Sequence, residues 1–200
     1  MKQIVYASAL ALMMGFSSCS KDETTTTTTA PTSSEKTIEF LVNGNPTGGN
    51  YTFFSFADGK EVPATDSNSL KWDFAMRFET FIINSKSSGP GNAYAQIVNA
   101  PFSEVVSGAL PGYKFDTTAT QKAIKGSEWY NYNPTTRVFS PKAGVTFVFV
   151  TATGKFAKME VLKADPADDN GNPVVPPTRP TKIKYTLRYF YQQNGTPILQ

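Results

Sequence analysis

"KWDFAMRFETFIIN", residues 71–84, alternates large apolar side chains with others: Trp72, Phe74, Met76 and Phe78 fall on one face, Asp73, Ala75, Arg77 and Glu79 on the other. Successive side chains of a strand point to opposite faces, so this pattern predicts a β-strand with one face in a core. Further along, "TKIKYTLRYFYQQ" (181–193) repeats the device. It sets Ile183, Tyr185, Leu187, Tyr189 and Tyr191 against Lys182, Lys184, Thr186 and Arg188, and reads as the closing strand. "GVTFVFVTATGKFAKMEVLKA" (144–164) reads as a hairpin turning at "ATGK", with Phe147, Phe149, Ala157, Met159 and Val161 inward. Shorter strands are expected at 37–42, 51–56, 94–98 and 128–132, between Gly, Pro, Asn and Asp punctuation. No segment of helical length carries a sustained apolar stripe, so the expectation is an all-β single domain over residues 37–200.

The chain before it has a different character. "MKQIVYASALALMMGF" joins Lys2 to a short apolar run, which is signal-peptide anatomy over residues 1–18 and too short for a stable membrane span. Ser17 and Ser18 directly precede Cys19, as in a bacterial lipobox, with Phe16 where Leu is more usual. Cys19 is therefore expected to carry lipid and to become the new N-terminus, acyl chains such as palmitate supplying the anchor. Residues 19–36, rich in Thr, Ser and Pro, read as a flexible tether that holds the domain away from a membrane. A lipidated Cys19 leaves the folded domain without a thiol, hence without a disulfide or a thiolate metal site.

Composition removes whole classes of function. The chain has no histidine, which excludes Ser-His-Asp and Cys-His catalysis, His-ligated zinc and bis-histidine haem ligation. Lysine and arginine number 19 against 16 acidic residues, too even a balance to expect a nucleic-acid partner.

Three loops interrupt the strands: 85–92 ("SKSSGPGN"), 101–127, and 165–180. In the last, Asp165, Asp168, Asp169 and Asn170 suggest a calcium loop, but aligning Gly171 with the obligatory glycine puts Pro166 where an aspartate is required. A solvated turn is the better reading. Asp73, Glu79, Glu104, Asp116 and Glu128 offer carboxylates, yet spacing does not bring two to catalytic separation, and no enzyme is expected. "SGPGN" lacks a phosphate-binding lysine and a following helix, so it reads as a turn. Among possible iron donors, Met76 and Met159 sit on apolar strand faces and read as core. Tyr94, Tyr113, Tyr130 and Tyr132, with Trp129 beside them, lie in or next to the loops. A tyrosinate can ligate ferric iron, whereas a half-buried aromatic with a satisfied hydroxyl is the structural alternative.

In order along the chain stand "YTFFSFADGKEV" (51–62), "SLKWDFAMRFETFIINSKSSGPGNA" (69–93), "ATGKFAKMEVL" (152–162) and "IKYTLRYFY" (183–191). Their order and spacing resemble the HmuY family, surface haem-binding lipoproteins of Bacteroidetes, over nearly all of the chain after the tether. The resemblance implies mixed, mainly antiparallel sheets with loops at one end that clasp a tetrapyrrole, and transfer of haem to a TonB-dependent outer-membrane receptor. "SKDE" (Ser20, Lys21, Asp22, Glu23) resembles the signal that sends such lipoproteins to the outer face of the outer membrane, and "DTT" (116–118) resembles an O-glycosylation acceptor. Where the best-known member grips iron with two histidines, this chain has Asn133 and Pro134 at one position and a shortened loop without histidine or methionine, 101–127, at the other. The resemblance therefore leaves two expectations: haem or a related tetrapyrrole held against aromatics, with Tyr130, Tyr132 or Tyr113 on the metal, or loops reassigned to a ferric siderophore, a glycan or a protein.

Overall fold

The computed structural model describes residues 33–135, 138–175 and 178–200. The signal segment, Cys19, the export residues Ser20 to Glu23 and most of the tether lie outside the described residues. The chain forms β1 (Glu35–Asn43), β2 (Thr52–Ser55), β3 (Lys60–Val62), β4 (Phe74–Arg77), β5 (Thr80–Ile83), β6 (Tyr94–Val98), a helical turn α1 (Gly126–Trp129), β7 (Tyr130–Asn133), β8 (Val138–Pro141), β9 (Thr146–Val150), β10 (Phe156–Ala167) and β11 (Lys182–Gln192). A five-stranded sheet runs β1-β11-β10-β9-β6, a four-stranded sheet runs β3-β2-β4-β5, and β7 and β8 pair as a separate ribbon. Every strand pairing among the described residues is antiparallel, a simpler pattern than the mixed one expected. Parallel neighbours require long crossovers, whereas β2–β3, β4–β5, β7–β8 and β9–β10 follow one another by short connections.

The two large sheets pack face to face through aromatic side chains. Phe40 of β1 meets Phe54 of β2 at 5.5 Å, Phe54 meets Tyr189 of β11 at 5.7 Å, and Phe81 of β5 meets Phe147 of β9 at 5.0 Å between ring centroids. The inward set foreseen on the β9–β10 hairpin, from Phe147 to Val161, is buried here together with Ile183, Tyr185, Leu187 and Tyr189. Truncating any one of the buried phenylalanines to Ala is expected to remove about 3–5 kcal/mol.

Residues 71–84 depart from the single strand expected. The stretch is a β4–β5 hairpin that reverses at Phe78 and Glu79. Phe78 takes φ 48°, held there because its N–H donates to Asn43 O at 2.7 Å and its carbonyl accepts the Tyr185 hydroxyl at 2.8 Å. Trp72 also departs from the Phe74 and Met76 face, packing with Phe53, Val62, Ala75 and Ile82 outside the sheet. Period-two counting sorts residues between two faces of one strand, and it detects neither a reversal made by tertiary hydrogen bonds nor a sheet covered on both faces. β11 is the last strand, as expected, and lies between β1 and β10 in its sheet. The 128–132 strand begins only at Tyr130, because α1 intervenes.

The outer face of the five-stranded sheet is covered by residues 99–110 and the C-terminal segment, which bury Phe102, Val105, Val148, Phe190 and Leu199. Lys158 of β10, only 4% exposed, pins that cover: its Nζ donates to Phe102 O at 2.8 Å and Val105 O at 3.0 Å and stands 4.2 Å from the Phe102 ring centroid.

Candidate functional site

β5 and β6 are edge strands of different sheets, and an edge presents unpaired backbone groups. Residues 113–130 satisfy both. Lys114 exchanges two backbone hydrogen bonds with Ala95 of β6, at 2.8 and 2.9 Å. The fully buried Asp116 turns to the other edge and accepts from Ile83 N–H at 3.0 Å. The same carboxylate accepts from Ala123 N–H at 2.8 Å and Ser88 Oγ at 2.6 Å, with Lys122 Nζ 3.9 Å away. The middle loop is thus laced between the two sheet edges and joined to the 85–92 loop through Ser85 and Ser88, and its clefts open there.

Three clefts follow this segment. One of about 550 Å³ is lined by Tyr113, Lys114, Phe115, Lys122 and Lys125 among others. A second, about 300 Å³, lies between Glu79, Lys122, Lys125 and Tyr130. A third, about 430 Å³, has a polar lining that includes Gln96, Asn99, Lys114, Glu128 and Lys142. Shared lysines make them one basic belt around aromatic rings, of the size range of small-molecule sites. Lys86, also at positive φ, sets its Nζ 4.3 Å from the Phe115 ring centroid. A separate cleft of about 710 Å³ opens at the β4–β5 turn, between Phe78, Gly44 to Thr47 and Arg179 to Thr181.

The tyrosines singled out from sequence are distributed around this belt. Tyr94 packs edge-on against Phe115, with centroids 5.8 Å apart. Tyr113 donates its hydroxyl to Gly108 O at 2.8 Å, and burial pushes the phenol up to about 12. Tyr130 is half-buried, 5.0 Å from Trp129 and 5.6 Å from Phe139, its phenol raised by burial and then by the Glu79 carboxylate. Tyr132 is 57% exposed on the β7–β8 ribbon, on the same strand as Tyr130. Trp129 is 1% exposed and belongs to the core with Phe81, Phe147 and Tyr185, so it supports Tyr130 from behind instead of presenting its own face. Met76 and Met159 are fully buried between the sheets.

Of the remaining candidates, Asp168, Asp73 and Asp116 have structural partners, whereas Glu79 Oε2 is buried without a hydrogen-bond partner among the described residues. Asp168 accepts from the N–H groups of Asn170 and Asn172 and from Asn172 Nδ2, closing a solvated turn. Among the described residues, no three His, Cys, Asp or Glu side chains gather in a way that holds a metal. Asp73 accepts from Phe56 N–H and Ala152 N–H, and Asp116 is occupied as above. The residues that line the belt and were not singled out are Lys114, Phe115, Lys122 and Lys125. Their signal was three lysines interleaved with the aromatics Tyr113 and Phe115 in "PGYKFDTTATQKAIKG".

No family model and no curated protein matches the chain. Solved structures do. The apo HmuY analog of Tannerella forsythia superposes with a TM-score of 0.51 at 12% identity, covering 80% of this chain and 98% of its own. Apo PinO from Porphyromonas gingivitis gives 0.55 at 14% identity, covering 81% of this chain and 100% of its own. The chain has the HmuY-like fold. The all-β architecture expected from the strand pattern and from the ordered motifs is therefore the one observed. Within this HmuY-like frame, the belt along residues 113–130 is the candidate ligand site.

Proposed function

We propose that this HmuY-like domain is a non-enzymatic binding protein that captures haem or a related acidic tetrapyrrole at the bacterial surface. The observation that carries the reading is the juxtaposition of Tyr113, Phe115 and Tyr130 with Lys114, Lys122 and Lys125 along one continuous belt. A flat apolar macrocycle lies against aromatic rings, and its edge carboxylates meet ammonium groups, so each half of the ligand finds its complement. Titrating hemin into the purified domain is expected to shift its Soret band and quench tryptophan fluorescence, Trp129 lying directly behind Tyr130. A titration that leaves both signals unchanged would sink the haem reading.

The cell-surface part of the proposal rests on the sequence: Cys19 carries lipid, Ser20 to Glu23 direct the chain to the outside of the outer membrane, and a TonB-dependent receptor takes up the cargo. Labelled palmitate is expected to enter the wild-type chain and not Cys19→Ala. A second reading, a glycan or ferric siderophore, is favoured by one observation, the polar lining of the Gln96, Asn99 and Glu128 cleft. Calorimetry with neutral oligosaccharides and ferric siderophores separates it from the first: heat of binding with either, and none with hemin, favours the second reading.

A further inference from the structure

A haem-type ligand offers two handles, its central metal and its macrocycle with edge carboxylates. The nitrogen, sulfur and phenol donors this chain brings to the belt serve only the second, and of its carboxylates Glu128 accepts from Lys125 N–H while burial raises the Glu79 carboxyl toward its neutral form. Histidine is absent. Both methionines of the domain are sealed between the sheets, where a thioether packs but does not reach a ligand. The lysine ammonium groups carry protons and no lone pair. Of the phenols, Tyr113 spends its proton on Gly108 O. Ionising Tyr130 would place a phenolate in the field of the Glu79 carboxylate, which opposes it. The Tyr94 ring is packed against Phe115. Tyr132 alone stands mostly in water, on the β7–β8 ribbon.

The second handle is well supplied. Phe115, Tyr113 and Tyr130 present rings, and the lysines recur from one cleft to the next. Lys122 is held in place from beneath by Ser88 Oγ at 2.8 Å and by the buried Asp116, so this ammonium is positioned before any ligand arrives. Preorganised charge of this kind favours a carboxylate whether or not the ring carries a metal.

We propose that the belt along residues 113–130 binds acidic tetrapyrroles through ring faces and lysine–carboxylate pairs, taking the metal-free porphyrin as well as the iron form. This deepens the tetrapyrrole reading above and rests on it. The test compares hemin with metal-free protoporphyrin IX on the mature domain, by fluorescence quenching and calorimetry, with Tyr132→Phe and Lys114→Glu/Lys125→Glu variants. The expected result is dissociation constants within about threefold of each other, no change in Tyr132→Phe, and at least about tenfold weakening of both ligands in the lysine variant. Hemin binding more than about tenfold tighter than protoporphyrin IX, or a Tyr132→Phe loss confined to hemin, overturns this inference and leaves the tetrapyrrole reading standing. If neither ligand binds, both fall.

Discussion

At the end of the sandwich where β2 turns into β3 and β9 into β10, Asp73 accepts from Phe56 and Ala152 N–H, and Asn84 joins Ser69 O, Trp72 O and Gly91 N–H. Along the side closed by residues 113–130, Asp116 likewise ties Ile83, Ser88 and Ala123 together. The device is the same, a buried polar side chain satisfying backbone groups from separate segments. What lies above it differs. Over Asn84 the "SGPGN" loop is pressed shut, and a Cβ at Gly89 would sit 2.3 Å from Asn84 Oδ1 and 2.6 Å from the Trp72 ring. Over Asp116 the chain carries lysines and aromatics that line open clefts. One hub closes a loop onto the core, and the other holds a loop so that its side chains remain available.

Three measurements test that contrast. Asn84→Ala strands two buried groups, Trp72 O and Gly91 N–H, and the part-buried Ser69 O, and at about 1–3 kcal/mol for each buried unsatisfied group the expected loss in urea-unfolding stability is about 2–6 kcal/mol. A loss below about 1 kcal/mol would show that the closed end is not held by this hub.

Asp73 gives the next largest effect. Burial outweighs its two backbone donors and pushes the carboxyl from 3.8 up to about 6. Because the folded value is raised, the stability this group contributes is full below about 3.8 and is lost as pH rises through about 6. The stability of wild type minus that of Asp73→Asn should therefore fall by about 3 kcal/mol between pH 3.5 and pH 7. A pH-independent difference would remove desolvation as the controlling influence on that carboxyl.

The smallest stability effect is expected on the open side. Lys114 pairs with Glu128 only at 3.8 Å and in solvent, so Lys114→Glu/Lys125→Glu should change unfolding free energy by about 0.5 kcal/mol or less while weakening tetrapyrrole binding. Equal losses of stability and binding would make the belt a structural surface like the closed end.

The strand pattern of "TKIKYTLRYFYQQ" and of the 144–164 hairpin was legible because burial on one face writes a period of two into the residue types. The β4–β5 reversal was not, because Phe78 is an ordinary strand residue whose positive φ is imposed by Asn43 and Tyr185, distant in sequence. The candidate site was half legible. The tyrosines stood out as loop aromatics, but the status of each depends on neighbours: Gly108 for Tyr113, Glu79 for Tyr130, and the whole inter-sheet core for Trp129. Lysines looked like ordinary surface charge until their clefts joined them.

By itself the sequence determined the chemistry available to this protein. Absent histidine, and with its one cysteine ahead of the domain, it is limited to ligand contacts by oxygen, thioether or apolar surface, since side-chain type is fixed residue by residue. Only the tertiary structure decided which of those groups meet. Lys114 and Phe115 face a cleft with Lys122 and Lys125 because the edges of two sheets, β5 and β6, both needed backbone partners, and a single later segment anchored by Asp116 supplied them.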